Sequence, residues 1–393
     1  MSKFVCPYCF EKVDTRDILF RCINPSASDC PMEEDPAYSR YWRFTTNQMM
    51  QRTIKPDIPI HKKITTHAIC PHCGTKSTKI ICPRCHNELP YTVGRAEEYM
   101  IALIGAKQAG KSHYVAVLIN ALAQHIGQKL NASLIALNEE TIQRYREEFY
   151  KPIYDEKIVI EATRSAGVEL KHPLMYRFSI EKRNIFGKTK NTTINLVFFD
   201  TAGEDLTRMD VMRREIKYIA NSSGIIFILD PLQIPAVRDR VPKDTPLPDE
   251  HTQPEEIVTR VINLIREEYE MSESKIEIPV ALTFSKIDAL KPILPPDISL
   301  NYASPHEDKF DIDDFEVVSG EMQAHLQQWV GPGLNNIVDH NFNNYAYFGL
   351  SALGAAPTEE GSLTENVSSL RIEDPFLWLL WKNGLVKGER NKK

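Results

Sequence analysis

Apolar and polar positions fall along the chain in blocks the length of strands and helices. From residue 95 onward the two periods take turns. Tyr99 to Ile104 (YMIALI) is a strand-length apolar run, and Tyr114 to Ile126 follows with helical spacing. Leu174 to Ile180 and Thr193 to Phe199 flank a polar turn, KRNIFGKTKN, which predicts an antiparallel hairpin. Leu206 to Ala220 and Glu255 to Glu270 read as helices. Gly224 to Asp230 (GIIFILD), Ile278 to Phe284 and Tyr345 to Leu350 read as buried strands. Asp374 to Leu385 (DPFLWLLWKNGL) reads as an amphipathic helix that packs Trp378 and Trp381 on the sheet. Between residues 131 and 172 only Glu139 to Tyr150 looks helical. Alternation of this kind predicts a three-layer α/β/α domain over residues 96–393, built on a mostly parallel sheet. Two inserts interrupt it, at about 231–254 and 289–320. The first is proline-rich and expected to be irregular; the second carries PILPPD and the acidic DKFDIDDFE. Neither holds a motif that translates into chemistry, and loops of this size often bind partners.

Residues 1–95 follow a different rule. All eight cysteines lie there: Cys6, Cys9, Cys22, Cys30, Cys70, Cys73, Cys82 and Cys85. The later group reads CPHC-x8-CPRC, two knuckles at a separation that suits one tetrahedral zinc ion. The earlier group opens with CPYC, but its second half is stretched to Cys22-x7-Cys30. Two contiguous sites, Cys6/Cys9/Cys22/Cys30 and Cys70/Cys73/Cys82/Cys85, are the favoured pairing. An interleaved one, with Cys6/Cys9 joined to Cys82/Cys85, stays open. Either way the count predicts a double zinc ribbon holding two Zn²⁺, whose binding supplies folding energy to a region with little core. Redox use of the knuckles is disfavoured because no βαβ pattern surrounds them. His67, His72 and His86 sit nearby, but four thiolates already complete each site. Tyr41, Trp42 and Phe44 are candidates to pack beside the metal.

Length and charge narrow the function classes. The chain has 393 residues, enough for two or three domains. No apolar run approaches the ~20 residues a membrane helix needs, and MSKFVCPYCF has no signal-peptide core. These readings predict a cytoplasmic protein, where thiols stay reduced and serve metals better than disulfides. The net charge is −6. Residues 1–95 carry 14 Lys/Arg against 9 Asp/Glu, so the remainder stands at −11. An acidic body argues against coating nucleic acid as a whole. It leaves RNA or DNA contact open to the ribbons, through Lys62, Lys63, Lys76, Lys79 and Arg84.

The chemistry concentrates in GAKQAGKS: Gly105, Ala106, Lys107, Gln108, Ala109, Gly110, Lys111 and Ser112, with His113 next in the helix. The spacing G-x-x-x-x-G-K-S between a strand and a helix is that of a phosphate-binding loop. Backbone N–H groups and the helix N-terminus face the phosphates, Lys111 reaches the β- and γ-phosphates, and the Ser112 hydroxyl ligates Mg²⁺. A later apolar strand ends in Asp200-Thr201-Ala202-Gly203. Asp200 there suits the Mg²⁺ ion opposite Ser112, and Gly203 lets its N–H approach the γ-phosphate.

Another strand ends in Ser285-Lys286-Ile287-Asp288, and the last in Ser351-Ala352-Leu353. In this order the four motifs resemble those of the Ras-like, translation-factor-related GTPases, over Tyr99 to about Leu385. With the ribbons, the chain looks most like the Double-GTPase 2 proteins of prokaryotic conflict and defence systems. Such a protein is expected to pair with a protein effector or a partner GTPase, although one complete phosphate loop is present here. The resemblance implies GTP and GDP as ligands. Asp288 would read guanine, Lys286 would lie along the base, and Ser351, Ala352 and Leu353 would touch it from the other side. Ser285 stands where the family carries an amide that ties this motif to the phosphate loop. Glu204 stands where Ras-like proteins place the water-positioning Gln. A carboxylate there adds negative charge to a reaction that accumulates it, and Asp205 compounds the effect. The expectation is slow hydrolysis of GTP to GDP and phosphate, helped by a partner. Thr163 is the first-switch choice, Arg208, Arg213 and Arg214 are candidate fingers, and Gln108 sits where potassium-stimulated relatives carry Asn. The rival readings are a ribbon GTPase bound to RNA or DNA and a nucleotide-binding scaffold without turnover.

Overall fold

The computed structural model describes residues 3–58, 64–160, 170–183, 189–199, 216–243, 245–248, 252–271, 274–358 and 360–390. Seven strands form its main sheet: β1 (Glu97–Ile104), β2 (Ala132–Ala136), β3 (Leu174–Arg183), β4 (Thr189–Phe198), β5 (Gly224–Leu229), β6 (Val280–Phe284) and β7 (Tyr345–Gly349). Their spatial order is β2-β3-β4-β1-β5-β6-β7. The run from β4 to β7 is parallel, whereas β2-β3-β4 is antiparallel. The sheet is therefore mixed, parallel through its centre with an antiparallel wing.

Alternate residues of β1 enter two different cores. Met100 and Ala102 pack with one, and Tyr99, Ile101 and Leu103 with the other. Helix α1 (Lys111–Ala123) and helix α4 (Asp374–Lys382) fill the second core, while α2 (Pro254–Glu268) and α3 (Ile312–Val330) cover the first. Coverage of both faces explains why β5 is apolar at every position and buried throughout. Trp378 is fully buried, 5.8 Å from Phe348 of β7. Trp381 instead stacks on Phe310, at 5.2 Å.

Several details depart from the sequence reading. Strand β2 extends the sheet's edge within a stretch expected to hold only a helix. The helix that follows, Glu139–Arg144, widens into a π-helical stretch, Tyr145–Asp155, that contains Pro152. Proline cannot donate to a regular helix ladder, so a wider turn there is in keeping with its chemistry. The proline-rich insert is not wholly irregular: it opens with a 3-10 turn, Pro231–Gln233, and a helical turn, Pro235–Arg238. The acidic DIDDFE is the start of α3, where the Asp311 carboxylate accepts from the Asp314 N–H at 2.9 Å.

The N-terminal region contributes small sheets. Leu19–Arg21 pairs antiparallel with both Lys79–Ile81 and Thr53–Ile54. Two short hairpins, Lys3–Val5 with Lys12–Asp14 and Ala68–Ile69 with Lys76–Ser77, carry the knuckles Cys6/Cys9 and Cys70/Cys73, and the third, Cys82/Cys85, follows the strand Lys79–Ile81.

Candidate nucleotide and metal sites

The loop between β1 and α1 closes on itself. A Cβ at Gly105 would lie 2.1 Å from the Ile228 carbonyl oxygen, so only glycine lets β1 meet β5 there. Gly110 has φ +91°, a conformation L side chains rarely adopt, and it turns the chain into α1. The buried Lys111 ammonium donates to the carbonyls of Gly105 (2.7 Å) and Ala106 (2.8 Å). It is thus held at the centre of the curl.

Ser285 corrects one expectation. Its hydroxyl donates to the Ala109 carbonyl at 2.8 Å and lies 3.2 Å from the Leu229 carbonyl. A serine hydroxyl thus ties this strand end to the 105–112 loop. Next to it, Lys286 is in the left-handed region (φ 53°), and its ammonium bonds the buried Asp230 carboxylate at 2.5 Å. Asp230 also accepts from the Leu232 N–H at 2.9 Å. His113 Nε2 accepts from the Ile160 N–H at 3.1 Å. Burial, then the Lys286 charge, pushes that imidazole down to about 4. It is neutral near pH 7, which suits its acceptor role.

These pieces line one cavity of about 410 Å³. Lys107 through His113, Lys286, Asp288 and Ser351 to Leu353 all face it, although they are far apart in the sequence. Gly105 and Ala106 form the loop's base through their carbonyls. Its wall also includes Thr245 to Pro248 of the first insert, Ser285 and Ile160. The sequence reading had placed Ser285 in its strand-end motif but had assigned neither Thr245 to Pro248 nor Ile160 to the site, and Asp230 was missed as well. A charged residue ending an all-apolar strand was the available signal for Asp230. Thr163, Asp200, Gly203, Glu204, Asp205, Arg208, Arg213 and Arg214 lie outside the described residues. The curl, the ammonium and the start of α1 make a cradle with the chemistry to hold a phosphate chain.

The cysteines meet in two groups of four: Cys6, Cys9, Cys82 and Cys85, and Cys22, Cys30, Cys70 and Cys73. This overturns the favoured contiguous pairing and selects the interleaved one. The reason lies in the antiparallel register Leu19↔Ile81 and Arg21↔Lys79. Cys22 follows one strand and Cys82 follows the other, so they leave from opposite ends of the pair. Sulfur separations of 3.6 to 3.9 Å recur within the groups. Thiolates at ~2.3 Å around one tetrahedral zinc ion would stand about 3.8 Å apart. All eight cysteines are free of disulfides. Both donor sets therefore fit a structural zinc ion. In the second group Thr75 holds the Cys73 thiol down to about 5. None of the three histidines is in either group. His86 instead places Nδ1 2.8 Å from Asp35, which also pairs with Arg21 at 2.7 Å. A third cluster, His306, Asp314 and Asp374, already faces a cation: the Arg371 guanidinium bonds both carboxylates at 2.9 Å.

The first cysteine group touches the main-sheet domain directly. Phe10, just past its first knuckle, is fully buried against Phe199 (5.2 Å) and Tyr218 (5.0 Å). The Tyr218 hydroxyl donates to the Ile101 carbonyl of β1 at 2.5 Å. The Asn221 amide donates to the Phe10 carbonyl at 3.2 Å, and Lys217 pairs with Glu11.

A glycine-bearing loop joining the first strand of this sheet to its covering helix, with strand ends converging on one cavity, gives a mixed α/β fold with a candidate phosphate-binding cavity. No protein-family model matches the chain. It is 24% identical over 319 residues to a proposed ESX-1 scaffolding and assembly protein, SaeC, of Mycolicibacterium smegmatis, covering 76% of this chain and 78% of that one. Similar solved structures include a bacterial selenocysteine-specific elongation factor, EF-Sec (11% identity, TM-score 0.22, 70% of this chain). The GTP-bound GTPase-like domain of S. cerevisiae Ski7 is another (13% identity, TM-score 0.28, 75% of this chain). The chain spans 27% of the first and 51% of the second. No helix among the described residues is long and apolar enough to cross a membrane.

Proposed function

We propose that the protein is a GTP-binding switch whose zinc-bearing N-terminal module is built onto its nucleotide domain. The observation that carries this is the cavity into which the phosphate loop, Ser285, Lys286 and Asp288, and Ser351 to Leu353 all open. In this reading Lys111 and the loop N–H groups hold the phosphates, and Ser112 and Asp200 hold Mg²⁺. Asp288 accepts from guanine, and Gly203 senses the γ-phosphate. Hydrolysis is slow because Glu204 occupies the water-positioning place. Thr163 serves the first switch, and turnover rises when a partner engages. The relative SaeC, named for scaffolding and assembly, supports an output in assembly or scaffolding through a protein partner.

Equilibrium binding of GTP, ATP and XTP tests the reading. The native chain should prefer GTP, Lys111→Ala should abolish binding, and Asp288→Asn should move the preference toward XTP. Unchanged base selectivity in Asp288→Asn would remove Asp288 as the reader. Single-turnover hydrolysis, with zero product over hours, would recast the protein as a scaffold.

A further inference from the structure

The proline-rich arm after β5 has no place in the roles above, yet it reaches both the loop and the cavity. The Gln233 amide donates to the Lys107 carbonyl at 3.4 Å, so the arm begins bonded to the phosphate loop. Leu232, Val237 and Val241 anchor it in the core. The Arg238 guanidinium donates to the Pro248 carbonyl at 3.5 Å, which holds the arm's far end. Between these anchors, Thr245, Pro246, Leu247 and Pro248 line the cavity.

Two properties of that stretch stand out. Each proline fixes its own φ and biases the residue before it to extended backbone. Thr245 and Leu247 both precede proline, so the segment is stiff from end to end. Leu247 is nonetheless 43% exposed, an apolar side chain held over a cavity with nothing apolar covering it fully. A phosphate chain has no use for such a wall; the face of a purine has. A rigid wall also loses little entropy when the ligand arrives.

We propose that Leu247, presented by the Thr245–Pro248 segment, is a specificity and retention residue that packs on the purine base of the bound nucleotide. The inference rests on the nucleotide-binding reading above. The arm then links the two ends of one ligand: Gln233 braces the loop at Lys107, and Leu247 covers the base. Removing the side chain slows nothing on entry but lets the base leave.

The test uses the full chain and measures affinity for GDP, ADP and inorganic tripolyphosphate, with GDP dissociation rates. Leu247→Ala should weaken GDP about tenfold, mainly through a faster off-rate. Tripolyphosphate affinity and melting temperature should not move, because Leu247 is 43% exposed and belongs to neither buried core. Leu247→Met should restore tight binding. Unchanged GDP affinity in Leu247→Ala, or equal losses for GDP and tripolyphosphate, would overturn the proposal. A native chain preferring ADP would instead sink the guanine reading, and the arm would then be judged on ADP by the same tenfold criterion.

Discussion

Cys6, Cys9, Cys82 and Cys85 gather where the N-terminal region meets the main sheet, and Cys22, Cys30, Cys70 and Cys73 gather at the other end of the small sheet they share. The ligand sets are alike, but their surroundings are not. Around the first, Tyr8 and Phe10 are buried, and Phe10 lies against Phe199 and Tyr218. Around the second, Ile23, Met32 and Ile69 are exposed, at 43%, 43% and 55%. Arg21, beside Cys22, and His86, beside Cys85, share the carboxylate of Asp35 and so couple the two ends. Burial pushes that carboxyl up, but the Tyr38 N–H, Arg21 and His86 outweigh it and hold it below the usual range. One site packs against the main-sheet domain, and the other projects from the far end of the small sheet, joined to the first through that sheet and the Asp35 contacts.

The largest effect should come from breaking the first site. Structural zinc in small modules is worth on the order of 10–16 kcal/mol of apparent folding free energy. Cys82→Ser should therefore cost the chain its nucleotide binding along with its zinc, seen by metal analysis, circular dichroism and GDP titration together. Cys70→Ser should hold about one zinc ion per chain and keep its GDP affinity. Matching losses in the two variants would erase the distinction drawn here.

The same contrast shows what the sequence could and could not disclose. The phosphate loop was readable because its chemistry is contiguous: eight residues from Gly105 to Ser112 specify curl, charge and helix start. The cysteine count was readable too, since knuckles are local. Their partnership was not, because it depends on strands 19–21 and 79–81 running antiparallel, a long-range register that local spacing does not encode. The tie between Ser285 and Ala109 was misjudged for a related reason. The serine was read as lacking the amide that makes this tie, yet its hydroxyl donates to the Ala109 carbonyl at 2.8 Å. Strand β2 stayed hidden because Ala132–Ala136 is a short edge strand with little periodic signal. Leu247 was invisible as a site residue because proline-rich segments carry no chemical motif.

A middle-sized effect tests the contact beneath the first site. Phe10 fills a closed space between Phe199 and Tyr218. Phe10→Ala should lower unfolding free energy by about 3–5 kcal/mol in urea titrations, the range for buried aromatic truncations. Ile69→Ala, on the exposed rim of the second site, should stay within about 0.5 kcal/mol of the native chain. If Phe10→Ala costs no more than Ile69→Ala, the first site is no foundation.

The smallest effect concerns pH and belongs to the same junction. Thr92, seven residues past Cys85, donates its hydroxyl to Asn195 Oδ1 at 2.8 Å, and Asn195 donates its amide to Glu98 at 3.0 Å. Glu98 is half-buried; burial raises its carboxyl from an ordinary 4.5 to about 8, against the opposing pull of the Asn195 hydrogen bond. A folded-state pKa above the unfolded one means the folded chain binds the extra proton. Its stabilising contribution is whole below about pH 4.5 and disappears as pH rises through about 8. Partial exposure screens the effect, so the expected signature is a shallow fall in melting temperature across that window. Glu98→Gln should flatten it, and Cys70→Ser should not, because the hydrogen bonds from Glu98 run through Asn195 of β4 to Thr92 and not into the second cysteine group. A slope that vanishes in Cys70→Ser and persists in Glu98→Gln would place the titrating group at the wrong end of the module and reverse the assignment of which site supports the nucleotide domain.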